Sequence, residues 1–297
     1  MPVDEFIIYV YCSVKPLVDE IYIDHPIRQR GFAPKLSDAE VITMEIVGEF
    51  LGYDTDKGIW RYFRNHWHNW FPQLGSRANF SKQASNLWEI KQQIQKILVN
   101  QLDGFMDDVH ISDGFPMPVC KFARARYSHI FKDDADYGYC ASKKETYYGF
   151  HGHLTISGNG IISGIVVTAA NIGERETLWE MVPPIQGLLI GDKGYIGQQL
   201  QEELQLIENI QLETPKRCNM KDERSPKFVK CLMSKRRLVE TVIGQLTERF
   251  HIQKVRSRDL WHLTNRVTRK IMAHTIGVFL NRLLGRPPLQ FESLVEA

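Results

Sequence analysis

Gly187-Leu188-Leu189-Ile190-Gly191-Asp192-Lys193-Gly194-Tyr195-Ile196-Gly197 is the stretch on which the fold turns. Its apolar run is too short for a buried helix and reads as a buried strand. The run stops at a glycine and delivers a single carboxylate, Asp192. A second glycine follows, and an amphipathic helix begins near Gln198. In an open α/β sheet, chemistry collects just beyond the carboxyl ends of the strands, which is where Asp192 falls. The glycines allow a sharp turn and close backbone approach. A plainer reading makes Asp192 only the residue that starts the next helix.

The other acidic residues decide between these readings. Upstream, Val109, Ile111, Asp113 and Phe115 alternate with His110, Ser112 and Gly114, a strand period that puts Asp113 on the apolar face. Asp107 and Asp108 compete with it, but both precede the apolar run. Pro116 and Pro118 should limit how far this strand pairs. Thr146–Ile156 and Ile161–Thr168 read as strands joined by Ser157-Gly158-Asn159-Gly160, a hairpin signal. A short helix at Leu178–Met181 ends at Pro183-Pro184. Then come the Asp192 strand, a helix at Gln198–Leu206, a strand at Ile210–Thr214 and a helix at Ser234–Phe250. This alternation predicts an α/β domain.

Before it, residues 1–104 read as helices. Ser37-Asp38-Ala39-Glu40 forms a capping box, and Ser81–Leu102 is predicted as one long helix. Basic and aromatic residues between Asp54 and Trp70 fit either a helix-turn-helix reader of DNA or a helical packing and dimerisation module. His66 and His68 lack partners at metal-ligand spacing. The expected organisation is therefore a helical domain over 1–104, an α/β domain with basic C-terminal helices over 105–284, and a tail over 285–297.

With 297 residues and 43% hydrophobic content the chain can build a full core. No apolar run approaches a membrane span, and the start lacks a basic signal region, so a soluble cytoplasmic protein is expected. The five cysteines, Cys12, Cys120, Cys140, Cys218 and Cys231, are scattered and form no Cys-x-x-Cys pair. That argues against a disulfide framework and a zinc site.

The net charge of +2 conceals an asymmetry: Lys216–Lys270 carries 16 Lys/Arg against 5 Asp/Glu. Such a block points to a polyanion, most often nucleic acid. A second basic segment runs from Lys121 to Lys144, through Arg124, Arg126, Lys132, Lys143 and Lys144.

The late helix offers Glu240 and Glu248. On a helical wheel Leu238, Val239, Val242, Ile243, Leu246 and Phe250 make the buried face; Glu240 borders it beside Arg236, and Glu248 points toward solvent. Glu240 is the preferred third acid. Three clustered carboxylates repel unless a hard divalent cation such as Mg²⁺ joins them. Two such ions about 4 Å apart can clamp the attacking and leaving oxygens of a phosphodiester.

Ile111-Ser112-Asp113-Gly114-Phe115-Pro116, Tyr148-Gly149-Phe150-His151, Gly191-Asp192-Lys193-Gly194-Tyr195 and Arg236-Arg237-Leu238-Val239-Glu240-Thr241 together resemble bacterial insertion-sequence DDE transposases, nearest to the insertion-sequence 982 family. The likeness spans roughly Pro34 to Leu284. It implies a ribonuclease-H-like mixed sheet flanked by helices. It also implies catalytic, metal-holding Asp113, Asp192 and Glu240, and two Mg²⁺ or Mn²⁺ ions. The expected reactions are cleavage at terminal inverted repeats and attack of the freed 3′-OH on target DNA. Double-stranded DNA is the expected partner, and pairing of two element ends implies a homodimer. The residues expected on DNA are Lys193, Arg236, Arg237, Arg249, Lys254 and Arg256, with Arg124, Arg126, Lys143 and Lys144. Related transposases carry a lysine seven residues after the glutamate; here that position is Thr247, and Arg249 or Lys254 would substitute. Lys216–Lys235 looks too short for the β insertion of some relatives. The rival readings are a metal-dependent nuclease or domesticated recombinase that cuts without joining, and a decayed copy that only binds DNA as a repressor.

Overall fold

A computed structural model describes residues 1–27, 33–141, 143–182, 184–217 and 219–296; Pro183 and Cys218 of the sequence reading lie outside these. The chain forms two compact units. The first comprises residues 1–98, 248–252 and 256–297, the second residues 99–247 and 253–255.

The first unit is built from α1 (Val3–Asp24), α2 (Asp38–Phe50), α3 (Asp56–His66), α4 (Arg77–Asn86) and most of α5 (Trp88–Gln101). The predicted capping box is present: Ser37 Oγ accepts the Glu40 N–H at 3.2 Å, and Glu40 Oε2 accepts the Ser37 N–H at 2.7 Å. The single helix expected over 81–102 is instead two, because the chain turns at Leu87. α2 is buried on every side, the mark of a central helix, yet it carries Glu45 and Glu49.

Those two acids take their partners from the end of the chain. The last helix of the chain, Leu260–Leu283, belongs to this first unit rather than to the α/β domain. Its Arg269, fully buried, donates from Nε to Glu49 at 2.6 Å and from Nη1 to Asp56 at 2.7 Å. Lys270 reaches Glu49 at 2.7 Å, and Lys91 of α5 pairs with Glu45 and with Asn265. A buried charge persists only with partners of this kind. So part of the basic block neutralises internal acids and is not available to a polyanion. Beyond Leu284, Phe291 and Leu294 are buried, and Phe291 packs edge-on against Phe50 and His274.

The second unit holds one mixed sheet. Its strands are β1 (Val109–Lys121), β2 (Asp136–Cys140), β3 (Glu145–Ser157), β4 (Ile162–Ala169), β5 (Gly187–Ile190) and β6 (Ile210–Glu213). Among them lie α6 (Phe122–Ala125), α7 (Glu174–Met181) and α8 (Gln198–Ile207); α9 (Pro226–Glu248) and the last helix, α10, follow. The strand order is β2-β3-β1-β5-β6, with β4 also on β3. β1 and β4 run antiparallel to β3, whereas β5 is parallel to β1 and β6 to β5.

β1 continues through Pro116 and Pro118, further than expected, pairing with β3 as far as Lys121 after an irregularity between Pro118 and Cys120. β5 covers the opposite edge only as far as Ile111. Both prolines share a parity, so their missing N–H groups can face that uncovered edge without breaking the β3 ladder. The basic Lys121–Lys144 segment contains α6 and β2. The helix and strand α7, α8, β5 and β6 close over a core of Leu178, Met181, Leu189, Leu200, Leu204 and Leu212.

Candidate active site

The parallel pairing of β1 with β5 places the two aspartates. Ile111 is opposite Ile190, so Asp113 and Asp192 each lie two residues beyond the same rung. Side chains repeat with period two along a strand, and both acids therefore leave the sheet on one side. Beyond Ile190 the β5 strand has ended, and Asp192 caps a 3-10 turn over Lys193–Tyr195, accepting the Gly194 N–H. Tyr195 anchors this turn: it is fully buried in the core, and its hydroxyl lies 3.3 Å from Ser112 Oγ, next to Asp113. The aromatic ring thus ties the second acidic loop to the first acidic strand.

Both carboxylates address one cation. Arg236 of α9 reaches Asp113 Oδ2 at 3.5 Å and Asp192 Oδ2 at 3.3 Å through the same Nη2. α9 is held to the unit by buried Val239, Val242 and Leu246, as the wheel predicted, while Leu238 and Ile243 are only half-buried. Arg236 Nε is buried without a partner among the described residues, leaving a donor for an incoming anion. Asp113 also accepts the Gly114 N–H at 2.9 Å. Burial nevertheless raises its pKa, and that outweighs the Gly114 bond and Arg236.

Glu240, the expected third acid, lies on α9 one turn after Arg236 and is exposed, as is Glu248. A carboxylate that no motif had singled out stands closer in. Glu174, the first residue of α7, is pushed up to about 7 by burial and then by the negative charges of Asp192 and Asp113. Its neighbour Arg175 donates to the Gly194 carbonyl at 3.1 Å and to that of Ile196. The start of α7 therefore clamps the loop after Asp192.

Two glycines make room for Glu174. A methyl built on Gly194 would overlap Glu174 Oε2 and come within 2.9 Å of its Cδ; one built on Gly114 would meet Glu174 Oε1 at 3.3 Å and overlap His151. Neither glycine has a positive φ, so space rather than backbone conformation requires them. His151, from the Tyr148-Gly149-Phe150-His151 motif, lies 3.9 Å from Glu174 Oε1 through Nε2. Burial lowers the imidazole pKa and raises that of Glu174, so both shifts work against a charged pair at this contact. No sequence pattern announces Glu174. It follows a strand end at Asn171-Ile172-Gly173 and looks like an ordinary helix-start acid.

Among the described residues, no three His, Cys, Asp or Glu groups are gathered closely enough to hold a metal ion. The donor chemistry still suits a hard divalent cation. Two carboxylates converge on a single guanidinium nitrogen, and the charges of both act on a third, half-buried carboxyl nearby.

The basic residues expected on DNA are dispersed. Lys193 and Arg237 are exposed near the acids, on the 3-10 turn and α9. Arg124 and Arg126 are exposed at α6, and Lys143 and Lys144 precede β3, with Lys143 Nζ 3.5 Å from Gln253. Lys254 is exposed in the second unit. Arg249 and Arg256 belong to the first unit, where Arg249 lies over the Phe50 ring at 5.2 Å and Arg256 pairs with Asp54 at 3.0 Å. Thr247 has a buried hydroxyl without a partner among the described residues. No helix of the described chain is long and apolar enough to cross a membrane.

Residues 103–260, just over half of the chain, match the family described as the transposase DDE domain. No curated protein matches the sequence.

Proposed function

Because the chain belongs to the transposase DDE-domain family, we propose that it cuts DNA at the terminal inverted repeats of a mobile element and transfers the freed 3′-OH ends into target DNA. The observation that carries this reading is the β1–β5 register, which brings Asp113 and Asp192 to one Arg236 nitrogen. We read the second unit as ribonuclease-H-like: the antiparallel run β4-β3-β1 followed by parallel β5 and β6 supports that assignment. The sequence motifs support placing the chain in the insertion-sequence 982 family.

Domains of this family generally use divalent metal ions. Asp113, Asp192 and Glu240 are the residues we assign to hold them, as two Mg²⁺ or Mn²⁺ ions. When bound, the ions would activate the attacking oxygen and stabilise the leaving one. The protein's own part is positional. The Tyr195–Ser112 contact and the Arg175 clamp fix the loop that carries Asp192. Arg236 screens the repulsion of the two aspartates, and its free Nε can donate to a phosphate oxygen. Glu240 follows Arg236 by one turn on the same face of α9, which supports it as the third acid. Exposed Lys193, Arg237, Arg124, Arg126, Lys143, Lys144 and Lys254 would contact the DNA backbone, and two chains would pair the two ends.

The test is a cleavage and strand-transfer assay on DNA carrying the element ends that flank the gene. Asp192→Ala should abolish cleavage while leaving DNA binding within a few-fold of the unmutated protein, and Glu240→Gln should behave likewise. Cleavage without joined product would favour the nuclease reading. Repeat-end binding with no cleavage by the unmutated protein in Mg²⁺ or Mn²⁺ would favour the repressor.

A further inference from the structure

The first unit contains a cleft of about 810 Å³ that the acidic cluster does not share. Three helices begin at its walls. Thr55, the N-cap of α3, borders it; so do Arg77 and Ala78 in the first turn of α4; so does Asp259, the N-cap of α10. Each helix start contributes partial positive charge. Six cationic side chains, Lys57, Arg77, Lys82, Arg256, Arg258 and Arg266, line the same space, against only two acids. Both acids are engaged: Asp56 with Arg269 and Ser81, and Asp259 as the cap of α10 and partner of His262.

Two lining groups lack the acceptors or donors that burial demands. Ser257 is 7% exposed, and its hydroxyl has no hydrogen-bond partner among the described residues. Arg266 has Nε and Nη1 buried and equally unpartnered. A guanidinium withdrawn from water without an acceptor is costly, and a phosphate oxygen would satisfy it. At the rim, Trp261 is 48% exposed, held edge-on by Trp88 at 5.8 Å. An exposed indole beside a row of cations offers a nucleic-acid backbone an apolar face for its sugars as well as charge for its phosphates, which an isolated anion would not use.

We propose that this cleft is a phosphodiester-binding site for DNA, separate from the catalytic acids and carried wholly by the helical unit. The proposal rests on the transposase reading only for the identity of the polyanion. It accounts for the basic residues 256, 258 and 266, which fall in a different unit from Asp113 and Asp192.

The test uses the full chain with EDTA present, so that binding is read without cleavage. The probe is a 30-base-pair duplex of arbitrary sequence. Arg77→Ala/Arg258→Ala should lower affinity about tenfold at 0.1 M salt and reduce the slope of log K against log salt by about 2, one unit per lost phosphate contact. A charge-matched control, Lys15→Ala/Lys96→Ala, removes one half-exposed and one exposed lysine outside the cleft and should change affinity less than twofold. Equal losses in both doubles, or no loss in the cleft double, would overturn the proposal. So would inorganic pyrophosphate that binds the unmutated protein but not the cleft double, if duplex affinity is the same for both; the cleft would then serve a small anion. With Mg²⁺ restored, the cleft double should raise KM for DNA and keep kcat. Loss of all cleavage by the unmutated protein would instead refute the transposase reading and leave the binding result standing.

Discussion

Gly194→Ala should separate the stability of this protein from its chemistry. The new methyl would lie 2.9 Å from Glu174 Cδ and overlap Oε2. Carbon atoms pack at about 3.5–4.0 Å, so the Glu174 carboxyl must recede by roughly 1 Å. The backbone is no obstacle, because Gly194 has no positive φ and its N–H bond to Asp192 survives in alanine. Forcing Glu174 off its rotamer costs about 0.5–1.5 kcal/mol. The loss of glycine freedom in the unfolded chain returns about 0.4–1 kcal/mol. The net change in stability is therefore close to zero, and the urea midpoint should move little. Activity has no such compensation: a 1 Å displacement beside the reacting groups costs on the order of 100-fold. The assay is Mn²⁺-dependent nicking of supercoiled DNA, run beside the unfolding curve. Glu174→Asp in the Gly194→Ala background withdraws the carboxyl by about one C–C bond, about 1.5 Å, and should recover roughly tenfold. Full activity in Gly194→Ala would refute the idea that Glu174 and its two glycines belong to the working site.

Two further outcomes concern the helical unit. Arg269→Leu leaves Glu45, Glu49 and Asp56 buried without their shared cation and should cost about 3–5 kcal/mol, read as a drop in the urea midpoint; a loss below about 1 kcal/mol would show the network to be dispensable. His274 is fully buried and its pKa is depressed to about 3. The unfolded chain, with a value near 6.5, then binds the proton first. Stability should be intact above pH 6.5 and fall as pH drops toward 3, by about 1.4 kcal/mol per pH unit for this one group. His274→Leu should flatten that slope between pH 6 and 4; an unchanged slope would assign the acid sensitivity elsewhere, with His153, depressed to about 4, the next group to replace.

Much of the secondary structure is legible from local pattern. Alternation over Val109–Phe115, the Gly158–Gly160 turn and the Ser37–Glu40 capping box act between near neighbours, and each element stands where its residues indicate. Asp113 could be selected by strand periodicity, and Asp192 because a glycine announces the end of its strand. What those signals could not carry was distance. The adjacency of Asp113 and Asp192 depends on which strands pair and in which register, and Glu174 enters only because α7 packs its first turn against the Gly194 loop. Charge was the least legible property. Arg256, Arg258 and Arg266 line a cleft while Arg269 and Lys270, in the same basic run, are buried against Glu45 and Glu49. Composition records how many charges a segment holds. Whether each faces water, a phosphate or an internal acid is settled by the tertiary fold, because the cost of burying a charge depends wholly on what meets it there.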